Sequence, residues 1–149
     1  MEMDWTFDMP TLLALATLIF VVLVFIWEQG QVRKQMMIQN FSEYTRRYQE
    51  VILNLPLEIS SPKYDIGSLK GDEREKVMKW MRVYFDICAE EYLLFKRGLI
   101  DREVWEDWLG GMKETYKRPA FKAAWKEFSK NPDIYNKFKP FVEKEIIGK

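Results

Sequence analysis

Thr11–Trp27 reads TLLALATLIFVVLVFIW, 17 residues that carry no charge and only two polar side chains, both threonines. Met9 and Pro10 extend the run to 19. At about 1.5 Å per residue it nearly spans a hydrocarbon core of roughly 30 Å, and flanking aromatics cover the remainder. Trp5 and Phe7 precede the run and Trp27 closes it, where amphipathic rings favour the headgroup level. Pro10 suits the first turn of a helix, since its missing N–H would have had no partner there. A core helix of this length would show a polar face, and this one has none. A cleavable signal peptide wants a basic start and small residues at a cleavage site. Here Glu2, Asp4 and Asp8 precede the run, and WEQGQVRK (27–34) follows. The expectation is a retained transmembrane helix over 9–27 behind a short extracytoplasmic tail, 1–8.

Arg33, Lys34, Arg46 and Arg47 all lie on the C-terminal side, and no base precedes the run. The positive-inside rule then places the N-terminus outside and residues from about 30 onward in the cytoplasm. The span holds no ionisable residue, so one helix alone offers no ion or proton pathway. It also lacks a GxxxG dimerisation face.

A juxtamembrane helix is expected over 28–56. Met37, Phe41, Tyr44, Tyr48, Val51 and Leu55 recur at spacings of four and three, a heptad-like stripe of about three heptads. The stripe fits packing on the chain's own C-terminal domain or pairing with another chain. Pro56 ends the helix by pushing the residue before it out of the α region. Residues 57–71, LEISSPKYDIGSLKG, read as a linker.

Residues 72–149 are expected to form a helical domain. Its first helix starts at Asp72, where Asp72 and Glu75 resemble a capping box. The apolar face runs through Val77, Met81, Tyr84, Cys88, Tyr92 and Phe95, widened by Trp80 and Phe85. Gly98 is placed to take the left-handed conformation that closes it. Asp101 is the expected N-cap of the next helix, with Ile100 and Trp105 at hydrophobic-staple positions and Trp105, Trp108, Leu109 and Met112 on one face. Gly110-Gly111 either ends or bends that helix. Another starts near Pro119 with Phe121, Ala124, Trp125 and Phe128 inward. Asn131-Pro132 ends it and opens a last short helix through Ile134, Tyr135, Phe138 and Phe141, interrupted by Pro140. No segment shows sustained strand alternation. The fold class is therefore all-α: one N-terminal transmembrane helix extending into a cytoplasmic helix, then a small helical bundle.

Candidates for chemistry are few. The chain has 149 residues, a formal net charge of zero and no histidine, which removes imidazole acid–base catalysis, His-ligated metal sites and Ser-His or Cys-His pairs. Cys88 is the single cysteine; on an apolar face with Asp86, Glu90 and Glu91 close by, it reads as an inert core residue. Glu90, Glu91, Asp101, Glu103, Glu106 and Asp107 form an acidic cluster without the ligand order of an EF-hand, and they read as solvated faces and helix-start charges. Arg118, Lys122, Lys126 and Lys130 are spaced by four. Residues 112–149 hold ten Lys/Arg against five Asp/Glu, while 98–111 hold one against four. A tethered basic stripe favours anionic headgroups by about 1 kcal/mol per base near the surface, although a solvated helix face or pairing with the acidic segment fits the same residues. Nucleic acid is disfavoured, since the stripe is lysine-rich and no reading motif accompanies it.

The stretch YFDICAEEYLLFKRGLIDREVWEDWLGGM, Tyr84–Met112, resembles a family of small uncharacterised bacterial membrane proteins. In that family an N-terminal anchor precedes helices with a tyrosine- and glutamate-rich stretch and then Gly-x-Ile-Asp-x-x-x-Trp, here Gly98, Ile100, Asp101 and Trp105. The quoted stretch covers about a fifth of the chain. The resemblance implies a bacterial inner-membrane location and carries over no activity and no catalytic residue.

The expected function is a non-enzymatic accessory or interaction protein, with the lipid bilayer and a protein partner or a second copy as its partners. No cofactor, metal, nucleic acid or small-molecule substrate is expected. Contact candidates are Phe41, Tyr44, Tyr48, Val51, Leu55, Trp105, Trp108 and Tyr116, since aromatics left exposed favour interfaces. The alternative is a self-assembling membrane effector acting as a homo-oligomer.

Overall fold

A computed structural model describes residues 8–131 and 134–148. Glu2, Asp4, Trp5 and Phe7 lie outside the described residues. Among those described there is no strand; the elements are α-helices with one 3₁₀ and one π turn. The chain divides into two compact units, Met1–Ile38 and Gln39–Lys149.

The first unit is the apolar part of α1 (Met9–Asn54), a helix that also contributes its later turns to the second unit. Its start is held by Asp8, whose carboxylate accepts from the Thr11 N–H at 3.1 Å. The Thr17 hydroxyl donates back to the Leu13 carbonyl at 2.9 Å, so its polar atom is satisfied within the helix. α1 is long and apolar enough to cross a membrane, and none of its most apolar 18-residue window is buried by the rest of the chain. Leu13, Leu18, Phe20, Leu23, Phe25, Ile26 and Trp27 are all exposed.

The second unit begins well before residue 72. Val51 and Leu55 are buried, as are Ile59 and Ile66 in the segment that reads as a linker. A 3₁₀ turn at Leu57–Ser60 and an Asx turn, in which Asp65 accepts from the Gly67 N–H at 2.8 Å, shape that segment. Its two isoleucines make it part of the core. α2 (Gly71–Lys96) does not use the capping box: Lys70 is its N-cap and gives no side-chain cap bond. Asp72 and Glu73 lie instead in the first turn, where they complement the helix dipole. Its C-terminus follows the expectation. Gly98 has φ 67°, the Leu99 N–H reaches Leu94 O at 2.9 Å and the Gly98 N–H reaches Phe95 O at 2.9 Å, a Schellman closure.

α3 (Arg102–Lys117) is capped by Asp101, which accepts from the Glu103 N–H at 2.9 Å. Ile100 and Trp105, the staple pair, are both buried in the core. The helix runs uninterrupted through Gly110-Gly111. α4 (Pro119–Phe128) opens on its proline and buries Ala120, Phe121, Ala124 and Trp125.

The last expectation is corrected. Residues 134–138 form turns, with Tyr135 at φ 63°, and α5 (Lys139–Phe141) begins where the helix was expected to break. Proline lacks an N–H that a first turn does not need, so Pro140 starts a helix here. A π turn at Val142–Ile147 completes the chain's described elements.

Two aromatic groups form the core. Phe85 is fully buried, with Trp125 at 5.2 Å, Tyr116 at 5.3 Å and Phe128 at 6.0 Å around it. Trp105 stacks on Phe95 at 4.7 Å, and Tyr92 stacks on Phe141 at 4.4 Å. Trp125 and Phe138, 6.0 Å apart, join the two groups. Replacing Phe85 with alanine should cost about 3–5 kcal/mol of the domain's stability, read from urea unfolding followed by tryptophan fluorescence. Gly110→Ala should act in the opposite direction. A Cβ there meets nothing within 4 Å, so the change should stabilise by about 1 kcal/mol, seen as a raised midpoint in the same assay.

Candidate functional site

Within the second unit three helices each present side chains at helical spacing to one cavity. α1 contributes Phe41, Tyr44, Thr45 and Tyr48; α2 contributes Tyr84, Ile87, Cys88 and Glu91; α3 contributes Asp107, Trp108, Gly111 and Met112. Positions i, i+3, i+4 and i+7 fall on one side of a helix, which describes the α1 and α2 sets; the α3 set is two adjacent pairs one turn apart. The cavity has a volume of about 300 Å³, within the range of small-ligand pockets. Phe41 and Trp108 stack at 6.0 Å with 10° between their planes, and Tyr44 lies 6.0 Å from Trp108. Gly111 leaves the α3 wall open, since a Cβ added there meets nothing within 4 Å.

Two adjacent glutamates on α2 meet opposite environments. Glu90 accepts from Arg47 Nη1 at 2.6 Å and from the Tyr44 hydroxyl at 3.0 Å. Partial burial works to raise its pKa, but these hydrogen bonds and the Arg47 charge prevail and hold it below the usual carboxylate value. Arg47 also lies 5.2 Å over the Tyr44 ring. Tyr44 in turn is pushed up to about 12 by burial and by its bond to Glu90.

Glu91 is 6% exposed and lines the cavity. Burial pushes its pKa up to about 8, the Arg47 charge pulls against that, and the Glu90 charge adds to it. Glu91 is therefore a neutral acid at neutral pH, inside an aromatic wall. The Cys88 thiol beside it is fully buried, and burial followed by the Glu91 charge raises its pKa well above the ordinary value.

Comparison with protein-family models, curated proteins and solved structures returned no match. The site accordingly rests on its own geometry.

Of the partner-contact candidates, Val51, Leu55, Trp105 and Tyr116 are buried in the chain's own core, so packing within the domain has consumed them. Tyr44 and Trp108 are half-buried, while Phe41 and Tyr48 remain 45% and 42% exposed at the cavity rim. The basic stripe divides as well. Arg118 is half-buried, precedes α4 and donates to the Ser60 hydroxyl at 2.8 Å. Lys122 and Lys126 are exposed on α4, and exposed Lys130 falls in the turn beyond it. Among the described residues no cluster of cysteine and carboxylate side chains is placed to hold a metal ion.

Glu91 is the residue that the sequence reading misplaced, as one of a solvated acidic group. Its spacing carried the signal: it follows Tyr84 by seven and Cys88 by three, on the buried stripe.

A pH dependence follows. Folded Glu91 keeps its proton to about pH 8, whereas the unfolded chain loses it near 4.5. The folded state binds the extra proton between these values, so this residue makes stability fall as pH rises across the window. A full proton of difference is worth about 1.4 kcal/mol per pH unit. Glu91→Gln should remove that slope, and its stability advantage over the parent should widen from about pH 5 to about pH 8 in urea titrations.

Proposed function

We propose that the chain is a single-pass membrane protein whose Gln39–Lys149 domain works at the cytoplasmic face as an accessory or interaction subunit of a larger membrane assembly. The observation that carries the membrane reading is the exposed apolar run of α1, none of whose most apolar 18-residue window is buried among the described residues. So large a contiguous apolar surface is not tolerated in water. The bases after the run, with none before it, support a cytoplasmic domain. The resemblance over Tyr84–Met112 adds a bacterial inner membrane to this reading. Exposed Lys122, Lys126 and Lys130 are available to anionic headgroups.

Support for a protein partner comes from large apolar side chains that the domain leaves uncovered. Leu53 is 84% exposed, Leu57 93% and the neighbouring Ile52 40%. Scattered exposed leucines are ordinary, but three within six residues at a helix end form a surface suited to another chain.

Orientation is tested with Arg102→Cys, at an exposed position outside the proposed partner surface. The new thiol is exposed while native Cys88 is buried, so a membrane-impermeant maleimide should label intact spheroplasts only after permeabilisation. Labelling without permeabilisation would reverse the topology. The assembly is tested by purifying the tagged protein in mild detergent and measuring the mass and composition of the intact particle. A defined particle with other chains is expected, and Leu53→Glu with Leu57→Glu should release them. A particle of this chain alone would favour the self-assembling reading instead.

A further inference from the structure

Beyond that reading, we propose that the cavity between α1, α2 and α3 binds a small hydrophobic organic cation, an aryl- or alkylammonium whose head meets Glu91 and whose body lies on the rings of Phe41, Tyr44, Tyr48 and Trp108.

The first support is Glu91 itself. A carboxyl on a residue only 6% exposed is costly to bury as an ion, and this one borders a cavity rather than packed core. The second is the sign of the lining. The wall holds two acids, Glu91 and Asp107, and no base. Arg47 is engaged by Glu90 at 2.6 Å and lies over the Tyr44 ring, so it does not serve an anion in the cavity. The third is the rings. Aromatic faces are electronegative and attract cations, most strongly where water is excluded. An anion would meet two carboxyls and those ring faces. A neutral ligand would fill the space without supplying the charge that the carboxyl can pair with.

Binding has a proton balance. The ammonium enters with its charge, the Glu91 carboxyl ionises to meet it, and one proton leaves to solvent. The titratable and charged groups that line the cavity with it or act on it are Tyr44, Arg47 and Tyr48 from α1, Tyr84, Cys88 and Glu90 from α2, and Asp107 from α3. Of these, Arg47 and Glu90 act on it by charge in opposite senses. Affinity for the ammonium should therefore rise with pH, by up to about tenfold per unit below pH 8.

The test uses the full chain in phosphatidylcholine nanodiscs, titrated with phenethylammonium chloride and followed by tryptophan fluorescence and calorimetry. Two controls with the same phenylethyl body, the isosteric 2-phenylethanol and the anionic 3-phenylpropionate, separate charge from shape. Saturable binding of the ammonium is expected, with the alcohol at least tenfold weaker and no binding of the carboxylate. Glu91→Gln should weaken the ammonium at least tenfold and erase the pH dependence. Gly111→Leu adds a side chain at the cavity wall from a position whose Cβ has open space; with the fold checked by its melting curve, binding should vanish. The proposal is overturned if the alcohol or the carboxylate binds as tightly as the ammonium. It is equally overturned if the ammonium gives no saturable response, or if its signal survives Gly111→Leu and so reports partition into the bilayer.

Discussion

Phe85 sits with none of its surface exposed, and the rings of Tyr84, Tyr116, Phe121, Trp125 and Phe128 approach it at 5.2 to 6.3 Å. The second unit is organised around that contact. Those rings come from α2, α3 and α4, so a single side chain ties three helices together. A helical domain of this size has little apolar area to set against its chain entropy, and large rings are the most compact way of supplying it. The later turns of α1 add Val51 and Leu55, and the following segment adds Ile59 and Ile66. Ion pairs such as Arg74–Glu127 at 2.8 Å link helices at the surface, where exposed pairs contribute at most about 1 kcal/mol.

The same packing creates the cavity. Aromatic side chains from α1 and α3 meet at Phe41 and Trp108 before the helices close completely, and Gly111 supplies no side chain to fill the space. Neighbouring residues on α2 are then divided by about 100° of helix rotation. Glu90 turns outward to Arg47 and Tyr44 and stays ionised; Glu91 turns inward and stays protonated. One residue of register separates an ordinary surface ion pair from a buried acid.

Much of this was legible in the sequence. Asp101 caps α3 because a short carboxylate before a helical run can reach an orphan N–H, and Gly98 closes α2 because a left-handed φ suits a residue without Cβ. Pro119 opens α4 for an equally local reason. Errors arose where local chemistry permits two outcomes. Asp72 could cap α2, but the chain enters the helix two residues earlier, at Lys70. Pro140 could break a helix or start one, and the turns around Tyr135 decide for the start. The Tyr135 hydroxyl donates to Asp86, a contact 49 residues away that no local pattern announces.

By itself the sequence determined what depends on near neighbours: an all-helical chain, a long apolar first helix, most helix ends and the inward faces. These follow from backbone sterics, end-group hydrogen bonding and a 3.6-residue period, each set within a few turns. Only the tertiary structure decided which aromatic residues are consumed by the core, that the segment 57–71 is anchored, and that Glu91 lies in a cavity. Burial is a property of the assembled helices. It depends on how completely their faces close, and that is set by side-chain volumes meeting from residues as far apart as Phe41 and Trp108.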